Sequence, residues 1–291
     1  MRAKSLIITL FGDVISQHGG EIWLGSIARS VEALGVNDRL VRTSVFRLVK
    51  EGWLEVEREG RKSFYGFTRS GSKEYQRAAQ RIYSAGDDSW HGSWQLLLPT
   101  NLPETQRDDF RRSLHWLGFR AISNGTFARP GGDEESIRDL LDEFDLSSGV
   151  VVMEAKTASL TTARQWRELV SDHWQLDNLE EEYRQIIGLF RPLKKALDKG
   201  KLPTPLEAFQ ARLLLIHEYR RILLRDTPLP SDLLPNRWQG TVARQLAQAL
   251  YRDLAKPSST YIQNELVNRQ GRLPESEHYF YLRFGGIRKD L

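Results

Sequence analysis

Apolar residues recur at helical spacing from Ser5 onward: Leu6, Ile7, Leu10, Phe11, Val14 and Ile15, a run that His18-Gly19-Gly20 stops. Asp13 interrupts it, which predicts an amphipathic first helix. Ile22, Trp23 and Leu24 form a short extended or turn segment. Ile27, Val31 and Leu34 then give a compact second helix ended by Gly35. Between Asn37 and Glu51, Leu40, Val41, Val45, Leu48 and Val49 make one helical stripe, expected to face a core. Arg39, Arg42, Thr43, Phe46, Arg47 and Lys50 are left on the other side. Leu54 and Val56 next alternate with Glu55 and Glu57, Glu59-Gly60-Arg61-Lys62 turns the chain, and Ser63, Tyr65 and Phe67 alternate back. Helix, tight turn, helix and charged hairpin is the order of a winged helix-turn-helix, in which the second helix enters a major groove and the wing tip meets phosphate. Arg39, Arg42, Thr43 and Arg47 are therefore expected to read base edges or flanking phosphates, and Arg61, Lys62 and Ser63 to contact backbone. A helix through Tyr75, Ala79 and Ile82 follows, opened by Thr68-Arg69-Ser70-Gly71.

After a polar linker, Ser84 to Ser89, the pattern changes. Trp90, Trp94 and Leu96 to Leu98 suggest a strand ended by Pro99. Pro103 starts a helix running through Phe110, Leu114 and Leu117 to Gly118; Phe119 to Ile122 and Thr126 to Ala128 read as strands, Glu134 to Phe144 as a helix and Gly149 to Glu154 as a strand. The order β, α, β, β, α, β is that of a ferredoxin-like domain. From Thr161 the chain becomes helical, with stripes around Trp166, Leu169 and Val170, from Leu179 to Phe190 before Pro192, from Pro205 to Leu224, and from Val242 to Leu254 as the last clear helix. The tail after Pro257 is polar, and Tyr279 to Phe284 reads as a strand. The expected class is α+β in three parts: residues 1–85, 86–158 and 159–291.

Charge sharpens this outline. The net charge of +4 divides into +5 over residues 1–83, −6 over 84–157 and +5 over 158–291, so the part expected to read a groove is basic, as a phosphate binder requires. The absence of cysteine excludes disulfides, thiolate metal sites and cysteine nucleophiles. The N-terminus lacks the cleavage site of a signal peptide, and no stretch approaches a membrane span, so a cytoplasmic protein is expected. No phosphate loop, dinucleotide fingerprint or nucleophile elbow occurs. His217-Glu218 lacks the second histidine of a zinc motif, the other histidines are scattered, and the pairs Asp87-Asp88 and Asp108-Asp109 fit a linker and a helix start. No catalytic residue, metal ligand or cofactor is assigned.

Val41-Arg42-Thr43, Arg47-Leu48-Val49, Gly52-Trp53-Leu54, Gly60-Arg61-Lys62-Ser63 and Tyr65 resemble the N-terminal domain of PaaX-type repressors, regulators of phenylacetate-degradation operons whose winged helices are similar to those of GntR regulators. Arg220 to Pro230, with Leu233-Leu234-Pro235, Trp238 and Gly240, resembles that family's C-terminal signature. The family's middle domain is similar to the Cas2 nuclease fold. Its metal-binding aspartate has no counterpart in Trp94 to Pro99, which favours a structural or dimerising role. The resemblance implies repression of operator DNA relieved by phenylacetyl-coenzyme A or a related acyl-CoA. Phosphates need cations and a phenyl group needs an aromatic recess, so Arg184, Arg220, Arg221 and Arg225, with Trp166, Tyr183, His217 and Trp238, are the candidates. A homodimer is expected, since two-fold proteins read palindromic half-sites. The rival reading is a nucleic-acid-processing or CoA-ester enzyme carrying the winged helix for targeting.

Overall fold

The computed structural model describes residues 3–84, 92–132, 134–146, 148–158, 160–227 and 229–287. Most of the linker, with Asp87, Asp88, Trp90 and His91, and also Pro228, lies outside the described residues. The fold is α+β, with contacts gathered into two compact units. One comprises Met1–Ala85, Tyr183–Leu224 and Thr241–Leu291; the other comprises Gly86–Glu182 and Arg225–Gly240.

In the first unit the chain runs α1 (Ala3–Asp13), β1 (Glu21–Trp23), α2 (Leu24–Val31), α3 (Asp38–Lys50), β2 (Leu54–Glu59), β3 (Lys62–Phe67) and α4 (Arg69–Ile82). The three strands form an antiparallel sheet in the order β1-β3-β2, with Ile22 opposite Tyr65 and Val56 also opposite Tyr65. Ile22 to Leu24, read as extended or turn, thus supplies the third strand of the hairpin's sheet. The amphipathic expectation for α1 is corrected. Leu6 through Asp13 are all buried, because α1 packs against α3 and α4 and also against a helix more than 190 residues later in the chain. A helix that is apolar nearly all round needs cover on every side, and Thr9 and Asp13 then need polar partners.

The second unit contains β4 (Ser93–Pro99), α5 (Arg107–Trp116), β5 (Arg120–Ser123), β6 (Thr126–Pro130), α6 (Glu134–Glu143), β7 (Val150–Lys156) and α7 (Ala163–Trp174). Its antiparallel sheet has the order β5-β6-β4-β7, the ferredoxin-like arrangement that the sequence order implied. Leu97 joins Phe110, Leu114, Ile137 and Leu140 in a core with α5 and α6. Trp94 points to the opposite face by strand alternation and stacks on Trp166 of α7, ring centroids 4.6 Å apart.

The remaining elements are α8 (Leu176–Asp198), α9 (Pro205–Leu223), α10 (Gln239–Glu265), the short pair β8 (Val267–Asn268) and β9 (Gly271–Arg272), and α11 (His278–Leu282). Two prolines expected to end helices do not. Pro192 lies inside α8 and Pro257 inside α10. An interior proline costs about 3 kcal/mol. Tyr183, Ile186, Ile187 and Phe190 in α8, and Leu250, Tyr251, Leu254 and Ile262 in α10, are all buried and together outweigh that cost at roughly 1.5–3 kcal/mol each. The closing segment is also corrected from strand to helix over His278–Leu282: Phe280 is buried, whereas Leu282, which a strand would place on the same face, is exposed. Among the described residues no helix is long and apolar enough to cross a membrane, and none form a cluster of three or more potential metal ligands.

Candidate nucleic-acid interface

Asn37 caps α3, its side chain accepting from the Leu40 amide at 3.0 Å, and Gly35 makes the preceding turn in the left-handed region at φ +81°. Val41, Ser44, Val45 and Leu48 are buried. Leu40, expected in that stripe, is instead exposed, and Val49 is half-buried. The buried arc is narrower than the apolar positions suggested, since neighbouring helices cover only part of a thirteen-residue helix. Outward lie Arg39, Arg42, Thr43, Phe46, Arg47 and Lys50, as expected.

Two of these side chains are already engaged. Arg42 Nε donates to Asp38 Oδ2 at 2.6 Å, an exposed i,i+4 pair whose hydrogen bond raises the guanidinium pKa. Thr43 Oγ1 donates to the Arg39 carbonyl at 2.9 Å, which leaves its lone pairs to accept from a base amino group. Lys4 and Glu51 form an ion pair at the far end of α3.

The hairpin tip is a two-residue turn between the paired residues Glu59 and Lys62, with Gly60 at φ +57°. Arg61 and Lys62 are exposed and Ser63 is half-buried. Tyr65 is half-buried, and Phe64 is the buried member of the strand. The Lys62 ammonium sits 5.3 Å from the Trp23 ring, which Arg29 also approaches at 5.7 Å. An exposed cation over an aromatic face is held by only about 0.5–1 kcal/mol, so Lys62 can leave for a phosphate. Arg269, between β8 and β9, pairs with Glu21 of β1 at 2.8 Å and with Glu57 of β2. Sequence reading missed Trp23 and Arg269: nothing local marks residues 212 positions apart, Glu57 and Arg269, as partners.

Behind this surface lies a buried charge network. Asp13 accepts from Arg212 Nε at 3.1 Å, Arg283 Nη1 at 2.9 Å and the hydroxyls of Tyr83 and Tyr251 at 2.7 Å each. Burial by itself raises the Asp13 pKa, but the two guanidinium groups and the two hydroxyls outweigh it and leave it below its ordinary value.

The eight effector candidates fall in different units. Tyr183, Arg184, His217, Arg220 and Arg221 belong to the first; Trp166, Arg225 and Trp238 belong to the second. Tyr183, His217 and Trp238 are buried. His217 Nδ1 lies 3.2 Å from Thr9 Oγ1, and Arg220 Nη1 donates to Thr9 Oγ1 at 2.7 Å and to the Ser5 carbonyl, so both hold α1 against α9. Arg184 is exposed; Arg221 pairs with Glu218 at 3.1 Å, and Arg225 with Glu182.

The chain matches the PaaX-like protein family over residues 2–71, the central Cas2-like domain of PaaX over residues 87–167 and the PaaX-like C-terminal domain over residues 174–264. It is 39% identical over 287 residues to the transcriptional repressor PaaX of Escherichia coli strain K12, covering 97% of this chain and 90% of that protein. Among solved structures it is similar to the uncharacterized protein Rv0674 from Mycobacterium tuberculosis, with a TM-score of 0.52 and 20% identity over 80% of this chain and 88% of the other, a likeness of fold.

Proposed function

The chain belongs to the PaaX family, and from that membership we propose that it is a DNA-binding transcriptional repressor of a phenylacetate catabolic operon, acting as a cytoplasmic homodimer that an acyl-coenzyme A releases. It is a regulator and not an enzyme. The observation that carries the reading is the outward face of α3, where Arg39, Arg42, Arg47 and Lys50 surround Thr43 beside a hairpin tipped by Arg61 and Lys62. In this winged helix-turn-helix α3 enters the major groove and the hairpin rests on phosphate.

Arg39 and Arg47 are the stronger base readers, because Arg42 must give up or share Asp38. Arg47→Ala is expected to weaken preferred duplex by roughly 1–3 kcal/mol and to relax base preference, whereas Arg61→Ala weakens all sequences and lowers the salt slope by about one. Binding isotherms on preferred and random duplex between about 50 and 200 mM salt separate the two effects; equal losses for Arg47→Ala on both duplexes would remove its reading role.

For the effector, the exposed Arg184 and Arg221 are the phosphate-binding candidates, while His217 and Arg220 act through the contact of α9 with α1 and Tyr183 through the buried side of α8. A full release needs a ligand that prefers the DNA-free state by several kcal/mol. The test is gel retardation of operator-region duplex by the full chain, with and without phenylacetyl-CoA. Loss of the retarded band with thioester and DNA both intact is the expected result. Persistence of the band at saturating ligand removes phenylacetyl-CoA as effector, and failure to retard any duplex removes the repressor reading.

A further inference from the structure

Phe46 is 70% exposed in the middle of a helix whose other outward residues are polar or charged apart from the half-exposed Leu40. Each residue of α3 advances about 100° around the helix axis, which places Phe46 within roughly 30° of the direction opposite the buried residues Val41, Ser44, Val45 and Leu48. Arg39, Thr43 and Lys50 share this meridian, so the ring stands at the apex of the face that the proposed function sends into DNA. A lone surface phenylalanine is ordinary. One ringed by four cations on the outermost line of a groove-reading helix has a restricted choice of partners.

An aromatic ring accepts no role from phosphate, and the guanine, cytosine and adenine edges in the major groove offer hydrogen-bonding groups that a hydrocarbon would strip of water. The thymine 5-methyl group is the apolar feature of that groove. In the proposed groove-bound state, Arg39 and Arg47 at base edges and the other cations on phosphates hold the helix at depth, which brings the ring against base edges. We propose that Phe46 reads thymine, packing its ring on the 5-methyl group and setting base preference where the arginines make no contact. This rests on the DNA-reading role of α3 and adds a specificity-determining residue to it.

The test starts from duplexes selected by the full-length chain from a random library. Each thymine of the selected site is replaced in turn by deoxyuridine, which removes the methyl group and keeps every hydrogen-bonding group. At one or two positions the wild-type protein is expected to lose roughly threefold to tenfold in affinity, the worth of a buried methyl contact. Phe46→Ala is expected to be nearly indifferent at those positions, losing less than about twofold, with an unchanged salt slope because no charge is removed. Phe46 is solvent-exposed, so the variant is expected to keep its fold, which an unchanged urea midpoint verifies. Equal uridine penalties in both proteins, or no sensitive thymine at all in a protein that still selects sequence, overturn the inference while leaving DNA reading intact. Failure to select any sequence overturns both.

Discussion

Asp13→Ala is expected to destabilise the protein by about 3–5 kcal/mol, the cost of removing one partner from a buried ion pair. The carboxylate is fully buried, as are both arginines that donate to it. Without it Arg212 and Arg283 face each other's charge across a site closed to water, and the hydroxyls of Tyr83 and Tyr251 lose an acceptor. Those partners come from the residue that caps the end of α4, from α9 and α10, and from the turn after α11, so the substitution loosens the attachment of α1 to elements distant in sequence. Asp13→Asn is expected to lose most of the same energy, because it keeps the shape and removes the charge. The exposed pair Lys4–Glu51 provides the contrast: Lys4→Ala is expected to cost less than about 1 kcal/mol. Urea unfolding followed by fluorescence measures all three. A loss below 1 kcal/mol for Asp13→Ala would mean that the network does not bind this unit together.

Acid is expected to weaken the folded state between pH 6.5 and about 4. Burial pushes His18 down to about 4, against the counteracting hydrogen bond to the Pro274 carbonyl, and with help from Arg212 and Arg283. Burial likewise pushes His217 down to about 4, with Glu218 opposing and Arg220 and Arg221 assisting. Both rings are buried and stay neutral in the folded chain, whereas the unfolded chain binds protons from the ordinary value of 6.5 downward. A depressed folded pKa makes its contribution fully present above 6.5, diminishing as pH falls and exhausted near 4. Each histidine accounts for about 2–4 kcal/mol across this window. The Asp13 contribution is lost only at lower pH, below its unperturbed value of 3.8, so the two effects separate along the pH axis. Urea midpoints at pH 7.5, 6.5, 5.5 and 4.5 check the slope. His217→Gln is expected to lose its share of the acid sensitivity; a flat profile down to pH 5 contradicts the assignment.

Much of the proposed DNA-reading surface is legible in residues 36–68 because its pattern is local. A three-to-four spacing, a capping asparagine and a glycine turn between alternating runs specify elements without reference to the rest of the chain. The β, α, β, β, α, β order is legible for the same reason, since each element announces itself by period and punctuation. Where local pattern misled, burial elsewhere was the cause. Pro192 and Pro257 were read as helix ends, but α10 carries buried side chains on both sides of Pro257, and α8 continues past Pro192 with Leu193, Ala196 and Leu197 half-buried. Leu40 carried an apolar signal with no neighbour to cover it.

By itself, then, the sequence determined the elements of the reading module and its outward cations, because side-chain period and turn chemistry act over a few residues. Tertiary structure alone decided that α1 is a central helix and that Asp13 meets Arg212 and Arg283, 199 and 270 residues away. It also decided that His217 and Arg220 brace α1 and that Arg269 clamps the hairpin. A buried carboxylate must find cations, and an all-round apolar helix must find cover, but those requirements name no partner. Only the folded chain, which brings α4, α9, α10 and the residues around α11 to one place, supplies it.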